Sequence, residues 1–162
     1  MPCCPLILIP AIYIKENVKM LEADVIQYRG FHKIVEDGKI TGFQVCVRSD
    51  YYRGVWLSQL RPGRVIVDGE LFPWDTIIWN INGKDYTTAE MAENSTDFWH
   101  VDKPAILKIK KDGGLSQGFH DVTVRFFASC SYMPPSYDTF DDNTEFTSFN
   151  GGTYTRKNMC IV

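Results

Sequence analysis

Three turn pairs constrain the fold of this chain more than any other feature: Asp37-Gly38, Asp68-Gly69 and Asn82-Gly83. A two-residue type I′ turn needs φ > 0 at both central positions, which Gly, Asn and Asp adopt at low cost, and its twist matches that of paired antiparallel strands. The segments around these pairs read as strands. Residues 25–36 and 39–48 flank the first, and in the second arm Phe43, Val45 and Val47 point one way while Gln44, Cys46 and Arg48 point the other. That period of two is what one buried sheet face requires. Val65 and Val67 precede the second pair, and residues 77–81 run into the third.

The pattern continues toward the C-terminus. After Lys103-Pro104, Leu107 and Ile109 face in while Lys108 and Lys110 face out, and Asp112-Gly113-Gly114 turns the chain. The longest alternation follows, with Val122, Val124, Phe126, Ala128, Cys130 and Tyr132 on one face and Asp121, Thr123, Arg125, Phe127 and Ser129 on the other. Met133-Pro134-Pro135 stops it, since proline cannot donate to a central ladder. One helix is expected, at 87–93, capped by Thr87 or Thr88 with acids in or near its first turn. Composition agrees: 10 Phe, 8 Tyr and 4 Trp in 162 residues favour half-buried pleated surfaces. The expected fold is all-β, an antiparallel β-sandwich with one short helix; a closed barrel is the alternative.

Three segments differ in texture. Residues 1–20 are an apolar, proline-broken leader, read as an arm or as an upstream start choice before Met20. Residues 21–135 form the sandwich domain, and 136–162 a polar C-terminal tail. The apolar run 6–14 is too short to span a bilayer and has no preceding positive charge, so neither a membrane segment nor a secretory signal is expected. Five cysteines at irregular positions do not form a disulfide framework, which makes a cytoplasmic location the economical reading. With 17 basic and 20 acidic residues and no basic stripe, nucleic acid is not expected as a partner.

Catalytic chemistry is sparse. His32, His100 and His120 lie far apart and form no ligand pair, so surface or turn histidines are expected and no metal site. Cys46 and Cys130 read as buried structural thiols. There is no nucleophile elbow, P-loop or dinucleotide-binding glycine pattern. Two clusters suit recognition instead: Tyr51-Tyr52-Arg53-Gly54-Val55-Trp56, and Phe98-Trp99-His100 followed by Asp102-Lys103-Pro104. Aromatic rings with arginine are the composition of interface anchors and of stacking platforms. Tyr51 and Tyr52 are adjacent and cannot both face a core from a strand, so at least one is expected to look outward.

The same residues carry a resemblance. Ser49-Asp50-Tyr51-Tyr52-Arg53-Gly54-Val55-Trp56-Leu57-Ser58 resembles the tyrosine–arginine–glycine segment of the small (beta) subunit of bacterial C-glycoside deglycosidases. Val67-Asp68-Gly69-Glu70 with Pro73, Trp74 and Asp75 is similar too, as are Lys103-Pro104-Ala105-Ile106-Leu107, Gly113-Gly114-Leu115, Gly118-Phe119-His120 and Ser131-Tyr132-Met133-Pro134. The agreement in order and spacing runs over 21–135. It implies a sandwich-like accessory subunit that assembles with a larger TIM-barrel alpha subunit in a hetero-oligomer. In that family the barrel carries the acid/base residues and a divalent metal, usually manganese, so this chain is expected to hold no cofactor and no catalytic residue. The complex acts on flavonoid or isoflavonoid C-glucosides already oxidised to a ketone at the sugar 3-position. That ketone acidifies the neighbouring C2 proton; a base removes it, the metal stabilises the enolate, and the aglycone leaves C1, which makes the reaction a lyase reaction. Tyr51, Tyr52, Arg53, Trp56, Trp99 and Met133 are the expected subunit-contact or pocket-wall residues. A stand-alone carbohydrate- or polyphenol-binding module using the same rings is the alternative, and a purely structural oligomerisation domain is a third reading.

Overall fold

A computed structural model of the chain describes residues 21–129, 132 and 150–161. Eleven strands are described: β1 (Ile26–Glu36), β2 (Lys39–Val47), β3 (Val55–Trp56), β4 (Leu60–Val67), β5 (Glu70–Phe72), β6 (Ile78–Ile81), β7 (Lys84–Tyr86), β8 (Phe98–Trp99), β9 (Ala105–Lys110), β10 (Gly118–Ala128) and β11 (Asn150–Ile161). A five-stranded sheet has the order β1-β2-β9-β6-β7, a four-stranded one β11-β10-β4-β5, and β3 pairs with β8. Every pairing is antiparallel. No barrel closes. The two larger sheets share one buried apolar cluster, as an all-β sandwich requires.

All three turn pairs connect hairpins as expected. Asp37, Asp68 and Asn82 have φ of 49°, 51° and 55°, and the glycine after each is also positive, as type I′ turns require. Phe43, Val45 and Val47 are fully buried, as are Leu107 and Ile109 on the adjacent β9. Cys46 is buried on the opposite face of β2, as read from the sequence; Cys130 lies outside the described residues. The one helix among the described residues, α1 (Thr88–Glu93), starts at Thr87, whose hydroxyl accepts the Glu90 N–H while the Glu90 carboxylate accepts the Thr87 N–H. This capping box satisfies two orphan donors and drives the Glu90 carboxyl below its ordinary range, chiefly through the Thr87 N–H. Met91 is the buried anchor of the helix.

Three features depart from the expectation. Residues 150–161, read as part of a polar tail, form the long strand β11 along β10. β10 stops at Ala128, and Tyr132 stands in a turn with 76% of its surface exposed instead of extending the buried face. β4 begins at Leu60, before the Val65 and Val67 that the alternation marks, and runs through the pair Pro62-Gly63. A bulge opposite Arg125 absorbs the pair, and a Cβ on Gly63 would lie 2.5 Å from the Arg125 carbonyl oxygen.

Where β1 and β11 approach, Arg156 closes the sandwich. Its Nη1 lies 2.5 Å from both Glu22 Oε2 and the Ile26 carbonyl, Nη2 lies 3.2 Å from Asp24, and the guanidinium stacks 3.7 Å over Tyr28. His120 also departs from its reading as a turn histidine. It is buried, with Nδ1 2.6 Å from Asp68 Oδ2 and Nε2 2.9 Å from the Ser116 carbonyl. Asp68 accepts the Asp121 N–H as well, and that bond, with His120, holds its carboxyl below the usual carboxylate range. The contact fastens the β4–β5 hairpin to β10.

Candidate functional site

The aromatic–arginine segment lies between β2 and β3, and short-range bonds fix its shape. Ser49 is buried; its Oγ accepts the Tyr51 N–H at 3.2 Å. The Gly54 N–H returns to the Tyr51 carbonyl at 3.3 Å, closing a turn over 51–54. Gly54 has φ +74°, and a Cβ there would sit 2.3 Å from the Trp99 carbonyl oxygen and 2.8 Å from the Phe98 ring. Glycine is required twice over, by handedness and by the close approach of β8. Tyr154 on β11 donates its hydroxyl to Asp50 and packs at 5.5 Å on Phe126, so the C-terminal strand holds the turn from below. Burial first, and then the Asp50 carboxylate, push the Tyr154 phenol well above its ordinary value.

Strand register decides which rings reach the surface. In the β3–β8 pair, Val55 faces Trp99 and Trp56 faces Phe98. Successive side chains alternate, so Val55 and Trp99 go to the core while Trp56 and Phe98 stand outward as a cross-strand pair. Trp56 is 44% exposed and meets Phe98 edge to face at 4.9 Å; Phe98 in turn meets His100 at 5.0 Å. Trp99 is 0% exposed, wedged against Trp79 at 5.9 Å and Phe126 at 5.8 Å, with its Nε1 donating to the Lys103 carbonyl at 2.8 Å. Its expected place at a contact or pocket wall is therefore corrected. Trp99 is a core residue.

The turn places the two tyrosines differently, as their adjacency requires. Tyr51 is half-buried against the core; Tyr52 is 67% exposed, and the rings meet edge to face at 4.9 Å. The Arg53 guanidinium lies 5.0 Å from the Tyr52 ring centroid. Tyr51 and Arg53 border an open depression of about 580 Å³, whose described lining also includes Gly54, Trp56 and Phe98 on one side. Gln59, Ser129 and Tyr132 line the other. The Ser129 N–H donates to the Gln59 carbonyl at 2.8 Å, which brings the end of β10 beside the short 3-10 turn Leu57–Gln59. The structure thus gathers Tyr51, Arg53 and Trp56 around one depression, with Tyr52 on its outer shoulder and Trp99 beneath. Met133 lies outside the described residues.

Gln59, Ser129 and Phe98's role as the partner of Trp56 were not assigned from sequence, because they follow from pairing between distant strands. Among the described residues no group of three or more His, Cys, Asp or Glu side chains is placed to hold a metal ion. No described helix is long and apolar enough to cross a membrane. The lining offers stacking faces, one cation and two neutral polar side chains.

Comparison with known proteins gives the geometry a family. The family model described as C-glycoside deglycosidase beta subunit matches residues 21–132, which include both aromatic clusters and both sides of the depression. The C-glycoside deglycosidase beta subunit of Eubacterium cellulosolvens is 50% identical over 116 residues, covering 71% of this chain and 79% of that protein. The protein of the same description from Arthrobacter globiformis is 31% identical over 67 residues, 41% of this chain and 51% of its own length. The sandwich, the glycine-dependent aromatic turn and the matched span lead to one conclusion: this chain belongs to the family of C-glycoside deglycosidase beta subunits.

Proposed function

We propose that this chain is the accessory subunit of a carbon–carbon lyase that removes the sugar from 3-oxo C-glucosides of flavonoids or isoflavonoids. Its partner is a larger TIM-barrel alpha subunit, which supplies the base and the divalent metal, manganese being the family expectation. The metal, when bound there, supplies Lewis-acid charge beside the sugar ketone. The work of this chain is to hold the barrel's loops, complete the pocket wall and build a cytoplasmic hetero-oligomer. The observation that carries this reading is the concentration of outward rings and one arginine on a single turn. Tyr52, Arg53 and Trp56 form the kind of patch that anchors protein interfaces, where aromatic and arginine side chains dominate the energy. Arg53 makes no ion pair among the described residues, and its planar guanidinium suits a carboxylate or carbonyl on a partner.

The test is the Arg53→Ala variant in co-purification with the large subunit. Loss of a desolvated interface arginine is expected to cost ~2 kcal/mol, a dissociation constant raised about thirty-fold. Unchanged assembly together with unchanged turnover would remove Arg53 from the contact.

A further inference from the structure

The depression behind the proposed contact patch has a chemistry of its own. Its described walls are rings from three separate segments: Tyr51 in the turn, Trp56 and Phe98 across the β3–β8 pair, and Tyr132 beyond β10. Trp56 and Phe98 meet at 73°, so their faces form a notch, not a flat platform. A notch of this kind takes a flat ring against one face and edge-on to the other, the two arrangements that aromatic quadrupoles favour. Arg53 sets a guanidinium at the rim, and Gln59 and Ser129 add neutral polar groups. An aromatic ring with an electron-rich or anionic oxygen finds here both stacking faces and, at the rim, the N–H donors of a guanidinium.

We infer that the depression lined by Tyr51, Arg53, Trp56, Phe98 and Tyr132 is a binding subsite for a planar aromatic ring bearing a phenolic or anionic oxygen, with the ring in the Trp56–Phe98 notch and the oxygen toward Arg53. The source of that ring, the aglycone of the complex's substrate, rests on the accessory-subunit reading; recognition of the ring rests on the depression alone. The two can therefore fail separately.

The experiment is calorimetric titration of the full chain with three probes: 2-naphthol, 2-naphthoate and methyl β-D-glucopyranoside. Both naphthalenes are expected to bind and the glucoside not to. Trp56→Ala should weaken both by about ten-fold, the loss of one stacking contact, with Trp56→Phe restoring most of it. Arg53→Gln should weaken 2-naphthoate more than 2-naphthol. Each variant is checked for an unchanged melting temperature, and Trp74→Ala, which removes a different exposed tryptophan, should bind as the parent does. Absence of binding by either naphthalene at millimolar concentration, or binding of the glucoside in their place, would overturn the inference. So would a folded Trp56→Ala variant that binds both naphthalenes unchanged. Assembly with the large subunit is scored on the same preparations. Ring binding without assembly removes the accessory-subunit reading and leaves the subsite, whereas assembly without ring binding does the reverse.

Discussion

Gly54 carries the most constraint of any single residue near the site. It sits at φ +74°, with the Trp99 carbonyl where a Cβ would go. Gly54→Ala is expected to cost at least ~1 kcal/mol from handedness alone, before the backbone of β8 is displaced. Its melting temperature should fall by several degrees, and an unchanged midpoint would contradict the geometry. Neighbouring Trp56 and Trp99 give a second comparison. Trp99→Ala empties a space between Trp79 and Phe126 and should cost ~3–5 kcal/mol, whereas Trp56→Ala removes a half-exposed ring and should change stability little. Chemical denaturation of both variants tests the assignment of one ring to the core and the other to the surface.

Tyr86 makes a pH prediction at the same scale. Burial, and then its hydrogen bond to Asp97 at 2.6 Å, push its phenol up to about 12. A folded-state value raised above the unfolded one contributes stability that is fully present below the ordinary value of 10.0 and is lost as pH rises toward 12. Denaturation midpoints should therefore fall across that window in the parent. In Tyr86→Phe the fall should be smaller, and an identical pH profile would exclude the linkage.

Among the larger parts of the fold, α1 is short and depends on its cap. Thr87→Ala removes the hydroxyl that accepts the Glu90 N–H and should cost ~1 kcal/mol, measured as a shift in denaturation midpoint with unchanged slope. Helix and hairpins were legible in the sequence because their causes are local: a threonine three residues before a glutamate, and residue pairs that tolerate positive φ. β11 was not legible, for a physical reason. Its inward positions fall on even numbers at the half-buried Tyr154 and Arg156 and then on odd numbers at the buried Met159 and Ile161. Between them the register slips opposite Asp121, and Asn158 takes φ 56° with its N–H bonded to the Asp121 carboxylate. A bulge that flips the phase erases the period of two by which strands are recognised. The bulge that admits Pro62-Gly63 into β4 concealed the start of that strand in a similar way. At the site, the outward turn rings were readable from their concentration. The separation of Trp56 from Trp99 was not, because it depends on which residues pair across β3 and β8.

At the scale of the whole molecule, the sandwich core and the proposed recognition surface are built from the same segments. Trp99 and Val55 enter the core from the strands that present Phe98 and Trp56 outward, and Tyr154 links the aromatic turn to β11. Trp56 and Phe98 are thereby held on paired strands, which lowers the cost of ordering them when a partner or ring arrives. The proposed division of labour gives recognition to this chain and bond cleavage to its partner. Its most direct test is co-expression with the large-subunit gene, followed by size exclusion and a cleavage assay on a 3-oxo C-glucoside with and without added divalent metal. The predicted result is a stable complex that releases the aglycone only when both chains and the metal are present. A chain that elutes alone beside the large subunit, and binds the glycoside without it, would contradict the accessory-subunit reading.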